Sequence, residues 1–296
     1  MMTKGIRVLV LGATGMLGNA VLRCFSELSG CVVFGTSRSD RVSSFLDADL
    51  RNYIITSIDV SKFDDICRAF DVAKPTVVIN CIGLVKQLDA SEDVLTAVPL
   101  NALLPHQLAR LCSMVGARLV HISTDCVFSG AAGSYCETDF PDANDVYGRT
   151  KFLGEVDYPN AITLRTSIIG RELSGSRSLL CWFLSQKGRV NGYTEAVFSG
   201  LPTDELARVI RDVVLPRADL RGLFHVAAKP IDKYTLLKLV ADVFKLSVEI
   251  VPNSDVKVDR SLSADKFKAI TGYVAPDWSV LIKNMYERQW SGGFHV

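Results

Sequence analysis

Tyr147 and Lys151 stand four residues apart in the segment Tyr147-Gly148-Arg149-Thr150-Lys151. On a helix that spacing places both side chains on one face. A phenol with an ordinary pKa of about 10 is a weak acid–base group near neutrality, and a nearby ammonium stabilises its anion and lowers that value. The pair suits proton transfer to or from an oxygen. Upstream, the apolar run Arg118–Ser123 leads straight into Thr124-Asp125, which puts the Thr124 hydroxyl at the end of an expected strand, where it can bond and orient a substrate oxygen. Each signal has a plain structural alternative: an amphipathic helix can carry Tyr-x-x-x-Lys by chance, and a hydroxyl often caps a strand-to-loop turn. Their order along the chain, after the glycine loop described next, favours catalysis by Thr124, Tyr147 and Lys151.

Gly12-Ala13-Thr14-Gly15-Met16-Leu17-Gly18 lies between an expected strand, Ile6–Leu11, and an expected helix, Met16–Leu28. Glycines in that setting allow a tight turn and a close approach of backbone to a pyrophosphate, while the helix N-terminus offers free N–H groups. Gly12, Thr14, Gly15, Met16, Leu17 and Gly18 are therefore candidate dinucleotide contacts, with a simple βα turn as the alternative. Where NAD sites commonly carry an acid at the end of the second strand, this chain has Ser37-Arg38. A hydroxyl and a guanidinium suit a 2′-phosphate, so NADP(H) is the preferred cofactor and NAD(H) the second choice. Asp59 and Val60 end the third expected strand. Asp59 either borders the adenine or caps the next helix. Cys81, Ile82 and Gly83 follow the fourth strand on the side of the nicotinamide half, and Ser123, Tyr147 and Lys151 are expected to touch the cofactor as well.

The elements that must position these residues read as strands at Ile6–Leu11, Cys31–Thr36, Ile54–Asp59, Thr76–Asn80, Arg118–Ser123 and Ala161–Arg165. Helices are expected at Met16–Leu28, Lys62–Val72, Leu95–Val115 and Asp145–Val156, and later at Leu179–Gln186, Asp204–Val214, Lys233–Phe244 and Asp277–Tyr286. Strands with continuous apolar character, alternating with helices, predict an α/β fold with a doubly wound parallel Rossmann sheet. Residues 1–167 are expected to form the NADP(H)-binding domain, and 168–296 a smaller, partly interleaved substrate lobe. A strand near 222–227 returns to the main sheet.

With 296 residues, 48% of them hydrophobic, the chain can bury a large core without disulfides. Its formal net charge of +1 gives no footprint for nucleic acid or an anionic membrane. The eight cysteines show no Cys-x-x-Cys spacing and the four histidines no metal-ligand pattern, so reduced thiols and no metal are expected. The apolar run before Gly12 is too short for a signal-peptide core or a membrane span, which points to a cytoplasmic protein.

The motifs resemble the extended short-chain dehydrogenase/reductase family, in its branch of dTDP-4-dehydrorhamnose reductases. The resemblance rests on Gly12–Gly18, Ile122–Gly130, Tyr147–Lys151, Leu164–Ser167, Gly200–Thr203, Gly222–Ala227 and Arg260–Ser263, and spans nearly the whole chain. It implies reduction of the 4-keto group of a nucleotide-diphosphate-linked 6-deoxy sugar for cell-surface polysaccharide synthesis, with a proton from Tyr147. Two positions that face the sugar in the family depart from its pattern: Cys126 stands where tyrosine is usual and Ile168 where tryptophan is usual. The loop containing Lys86 differs as well. Asp125 is followed by Cys126, whereas relatives that eliminate water place Asp-Glu after the threonine, so dehydration is disfavoured.

Lys86, Asp125, Cys126, Arg165, Ile168 and Arg189 are the candidate substrate contacts; Arg165 and Arg189 are among the cations offered to the diphosphate, with Arg189 favoured because Lys187-Gly188-Arg189 leaves an expected helix for a loop. A homodimer is left open. Two other readings stand beside the reductase. One is an epimerase that retains its nicotinamide. The other is a non-catalytic regulatory subunit resembling the β-subunit of methionine adenosyltransferase.

Overall fold

Val8 and Val10 alternate with Leu9 and Leu11 on opposite faces of the first strand, and all four are fully buried, so that strand needs cover on both sides. A computed structural model supplies it, describing residues 5–40, 48–84, 91–173 and 175–290. The central sheet is built from β1 (Ile6–Leu11), β2 (Cys31–Thr36), β3 (Ile54–Ile55), β4 (Val77–Asn80), β5 (Arg118–Thr124), β6 (Ala161–Thr166) and β11 (Gly222–His225). Their order is β11-β6-β5-β4-β1-β2-β3, and β3, β2, β1, β4 and β5 pair in parallel. The order reverses between β1 and β4, where the Leu11–Asn80 pairing brings two strand ends together. Such a switch point is where open α/β sheets bind ligands.

Helix α1 (Met16–Ser26) buries Leu17, Val21, Leu22 and Phe25, and packs against β1 and β2. On the opposite face α2 (Phe63–Ala73) and α3 close a core with Leu9, Leu11, Ile66, Phe70, Val78, Leu104, Leu108 and Leu119. Helix α3 has α-helical ends, Val94–Ala97 and Leu104–Val115, joined by a π-helical section, Val98–Leu103. Pro99 brings no N–H to that section, and a wider turn tolerates the gap. Helix α4 (Val146–Leu153) follows β5 in the chain.

The expected third strand, Ile54–Asp59, stops at Ile55, and Ser57 adopts the left-handed backbone (φ 56°). That turn lets Ile58 N–H bond to Ser37 O (2.9 Å) outside the ladder.

Contacts divide the chain into two compact units. The first comprises Met1–Ser123, Asp145–Leu164 and Ala207–Leu223, and the second Thr124–Asn144, Arg165–Leu206 and Phe224–Val296. This interleaving is finer than a single boundary after residue 167.

Short strands dominate the second unit: β7 (Ile168–Ile169), β8 (Gly188–Tyr193), β9 (Ala196–Phe198), β10 (Leu201–Pro202), β12 (Ile231–Asp232), β13 (Val248–Asn253) and β14 (Val258–Asp259). They pair as β10-β7, β12-β9-β14 and β13-β8. Helices α5 (Leu179–Leu184), α6 (Thr203–Val209), α7 (Lys233–Phe244), α8 (Asp265–Thr271) and α9 (Trp278–Trp290) complete the order. A small cluster of Val127, Phe128, Tyr135, Ala227 and Leu262 anchors the turn after β5, with the Phe128 and Tyr135 rings stacked at 4.1 Å.

Candidate active site

Gly12 has φ 81°, a left-handed conformation that favours glycine, and its N–H donates to Thr36 Oγ1 (3.2 Å). Ala13 N–H donates to Thr36 O (3.1 Å), so the loop is docked on the end of β2. A Cβ on Gly18 would lie 2.1 Å from Gly12 O, so only glycine lets α1 approach its own loop this closely. The N-cap of α1 is Gly15, which has no side chain to bond the first-turn amides. That donor set, turned outward without an internal acceptor side chain, fits a pyrophosphate.

Beside the loop, Ser37 is buried and its hydroxyl is engaged in its own turn, donating to Ser39 O (3.0 Å) and accepting from Ser39 N–H (3.2 Å). Arg38 is exposed at the next position. Asp59 accepts from Ser61 N–H (3.0 Å) and Ser61 Oγ (2.8 Å); these bonds, with the charges of Lys62 and Arg38, hold its carboxyl below the usual carboxylate range. The N-cap of α2 is Lys62, so Asp59 closes the turn before the helix and is not its cap. Val60, the next residue, is buried.

Asp145 caps α4 by accepting from Gly148 N–H (2.7 Å), which sets the first turn that carries Tyr147. Tyr147 is half-buried. One turn on, Lys151 is 4% exposed and its Nζ donates to Ile122 O (2.8 Å) on β5. Burial lowers its pKa to about 8, opposed by the attraction of Glu155. Glu155 in turn accepts from Ser123 Oγ (2.7 Å). Burial pushes the Cys81 thiol up to about 12, so it stays neutral next to the ammonium. A Cβ on Gly83 would lie 3.6 Å from Lys151 Nζ. The ends of β4 and β5, the turn after β4 and the lysine of α4 thus meet in the first unit.

Asn101, absent from the expected site, belongs to this group. It is fully buried in the π-helical section, its Oδ1 accepts from Leu84 N–H (3.1 Å) and its Nδ2 donates to Thr150 Oγ1 (3.2 Å). It ties the turn after Gly83 to the helix of Tyr147 and Lys151. Its one sequence signal is Pro99 inside an otherwise helical pattern, which marks a departure from α geometry without naming the residue that uses it.

In the second unit, Thr124 caps a 3-10 turn (Asp125–Val127), accepting from Cys126 N–H (3.1 Å) while its hydroxyl donates to Asp125 Oδ1 (3.1 Å). Asp125 is buried, which raises its pKa against the bonds from Thr124 and Cys126 and the attraction of Arg260. Ile168 is half-buried in β7, paired with Leu201.

Arg165 takes a different place from the diphosphate contact expected of it. It is 2% exposed, its guanidinium lies 5.1 Å from the centre of the Phe128 ring, and its Nη1 donates to His225 Nε2 (3.3 Å). Arg189 lies in strand β8 instead of a loop after a helix, exposed and 3.8 Å from Glu249 of β13. Lys86 lies outside the described residues.

A family profile described as the RmlD substrate binding domain matches residues 6–290. The chain is similar to methionine adenosyltransferase 2 subunit beta of Danio rerio, 30% identical over 268 residues that cover 84% of this chain and 77% of that protein. It is similar to dTDP-4-dehydrorhamnose reductase of Mycobacterium tuberculosis, 40% identical over 163 residues, 51% of this chain and 53% of that one. The crystal structure of dTDP-4-dehydrorhamnose reductase from Bacillus anthracis in complex with NADP shares the fold with a TM-score of 0.77 at 19% identity, covering 96% of this chain and 99% of the other. The resemblance carried by the sequence motifs is borne out, and the chain belongs to the RmlD substrate binding domain family.

Proposed function

We propose that this protein is an NADP(H)-dependent reductase of the 4-keto group of a nucleotide-linked 6-deoxy sugar. One observation carries the reading: the ammonium of Lys151 is buried, fixed on Ile122 O, and placed beside the turn after β4 on the same helix as Tyr147. The M. tuberculosis and B. anthracis relatives bear the name of that activity, and the second was solved with NADP.

Gly12, Thr14, Gly15, Met16, Leu17 and Gly18 would hold the pyrophosphate, Arg38 and Ser37 the 2′-phosphate, Asp59 and Val60 the adenine side, and Cys81, Ile82, Gly83 and Ser123 the nicotinamide half. When bound, the reduced nicotinamide supplies the hydride. Tyr147 gives its phenolic proton to the oxygen of the former ketone, and Lys151 favours the phenolate that remains. Thr124 bonds and orients that oxygen. Asp125, Cys126 and Ile168 are assigned to the sugar.

A second reading has its own observation, the 30% identity to a methionine adenosyltransferase subunit over most of the chain. In that case the protein binds the nicotinamide cofactor and a partner protein without turnover.

The reductase reading is tested by NADPH oxidation with a panel of dTDP- and UDP-linked 4-keto-6-deoxy sugars made in place by their dehydratases. Turnover with one of them is expected and names the substrate. NADPH binding without oxidation by any of them would favour the regulatory reading.

A further inference from the structure

A cation taken out of water is costly unless an opposite charge or hydrogen-bond acceptors receive it. The buried Lys151 ammonium rests on a neutral carbonyl, Ile122 O (2.8 Å), so its charge must be balanced from elsewhere. Besides Tyr147 on its own helix, the titratable groups that face it are Cys81 after β4, His121 of β5 and Glu155 after α4. The first two are neutral. Burial keeps the Cys81 thiol protonated up to about 12. His121 Nδ1 accepts from Asn80 Nδ2 (3.1 Å), and burial beside the lysine charge holds the ring well below the usual imidazole range. Among the described residues Glu155 is therefore the anion that faces Lys151.

The backbone brings it there. Helix α4 ends at Leu153, and Gly154 passes so close to α3 that a Cβ on it would lie 1.9 Å from Asn101 O, an approach open only to glycine. Glu155 N–H donates to Phe152 O (3.1 Å), which turns the chain back, and Glu155 Oε1 accepts from Ser123 Oγ (2.7 Å). Ser123 is buried and directly follows Ile122, whose carbonyl receives Lys151. Consecutive residues of β5 thus hold the ammonium and the carboxylate, each by its own hydrogen bond. The helix itself does not favour an acid at this point. Just past the C-terminus of α4, a carboxylate meets the negative end of the helix dipole, which costs stability. Its place is explained by β5 and by the ammonium.

We propose that Glu155 is a positioning residue: anchored on Ser123, it keeps the Lys151 ammonium charged and seated on β5. For its effect on turnover the inference rests on the reductase reading above. Loss of an adjacent anion makes an ammonium give up its proton at lower pH. A neutral lysine cannot favour the phenolate of Tyr147, so removal of the Glu155 charge narrows the pH range of turnover from its alkaline side.

Glu155→Gln removes the charge and retains an oxygen for the Ser123 hydroxyl. Carbon-13 NMR of the lysine Cε resonances follows the ammonium without substrate. A Tyr147→Phe background keeps the phenol from titrating with it, and Lys151→Met assigns the signal. The Lys151 midpoint is expected at about 8 with Glu155 in place, and about one pH unit lower in Glu155→Gln. Glu155→Asp, which keeps a charge, should stay nearer the parent. With Tyr147 restored, the alkaline limb of NADPH oxidation should move down together with the midpoint. If Glu155→Gln does not fold, Glu155→Ala takes its place. An unmoved midpoint overturns the assignment, and a loss of turnover at every pH with that midpoint unmoved would leave Glu155 as a structural link to Ser123 alone. If the wild type oxidises NADPH with none of the keto sugars, the reductase reading fails, while the NMR midpoint still decides the role of Glu155.

Discussion

A lysine in water gives up its proton near pH 10.4, and an ammonium held away from water does so earlier. Lys151, brought down to about 8 by burial, still carries its charge at neutral pH and is fixed by Ile122 O rather than by an acid that would neutralise it. Tyr147 stands one turn earlier on the same helix. This part of the site was legible because Tyr147 and Lys151 are near in sequence and their spacing equals one helical turn. Asn101 was not, because it reaches its place through a π-helical section whose departure from α geometry leaves no period. Arg38 tests the cofactor assignment at this scale. Arg38→Ala should weaken NADPH by about tenfold or more, as expected for a lost charge-assisted phosphate contact, and leave NADH nearly unchanged. Titration of both nucleotides checks it, and an equal loss for both would remove Arg38 from the 2′-phosphate.

Helices and strands of the first half were legible from apolar runs and turn residues, and α7 runs over Lys233–Phe244 as expected. What escaped were local departures: the left-handed Ser57 that ends β3, the π-helical section of α3, and β8 where a loop was expected. The π-helical section has a measurable consequence. Asn101→Ala leaves the Leu84 N–H without its acceptor and Thr150 without its donor, so unfolding in denaturant should show a loss of about 1–3 kcal/mol. A stability within a few tenths of a kcal/mol of wild type would deny Asn101 that role.

The turn that follows β5 carries a second consequence, in its pH dependence. His225 accepts from Arg165 Nη1 at Nε2 (3.3 Å), so its Nδ1 bears the proton and donates to Tyr135 O (3.0 Å). Burial and the Arg165 charge hold its pKa down at about 4. Below the unfolded value of about 6.5 the unfolded chain binds a proton that the folded one refuses. Stability is therefore full above that pH and falls as pH drops towards 4, by about 3 kcal/mol for this one residue. Denaturation at pH 7 and pH 4.5 should show a shallower fall in His225→Gln than in the wild type. The same fall in both would place the acid sensitivity elsewhere.

At the scale of the whole molecule, the α/β class with its parallel sheet follows from the alternation of strands and helices, and the family from motifs spread over nearly the full length, whereas the strand order comes from the structure alone. The two units were only coarsely legible, because 124–144 and 207–223 each join the unit that does not precede them in sequence. Tertiary contacts decide that exchange, and periodicity carries no record of it. No described helix is long and apolar enough to cross a membrane. Turnover is a property of the whole chain, and in the proposed reaction the phenol of Tyr147 delivers the proton in a ketone reduction. The measurement that tests it most directly compares the wild type with Tyr147→Phe, reading NADPH affinity by fluorescence and NADPH oxidation with the keto sugar that the wild type accepts. Unchanged NADPH affinity and a loss of turnover of about two orders of magnitude or more are expected, as for removal of a general acid. Near-normal turnover in Tyr147→Phe would contradict it.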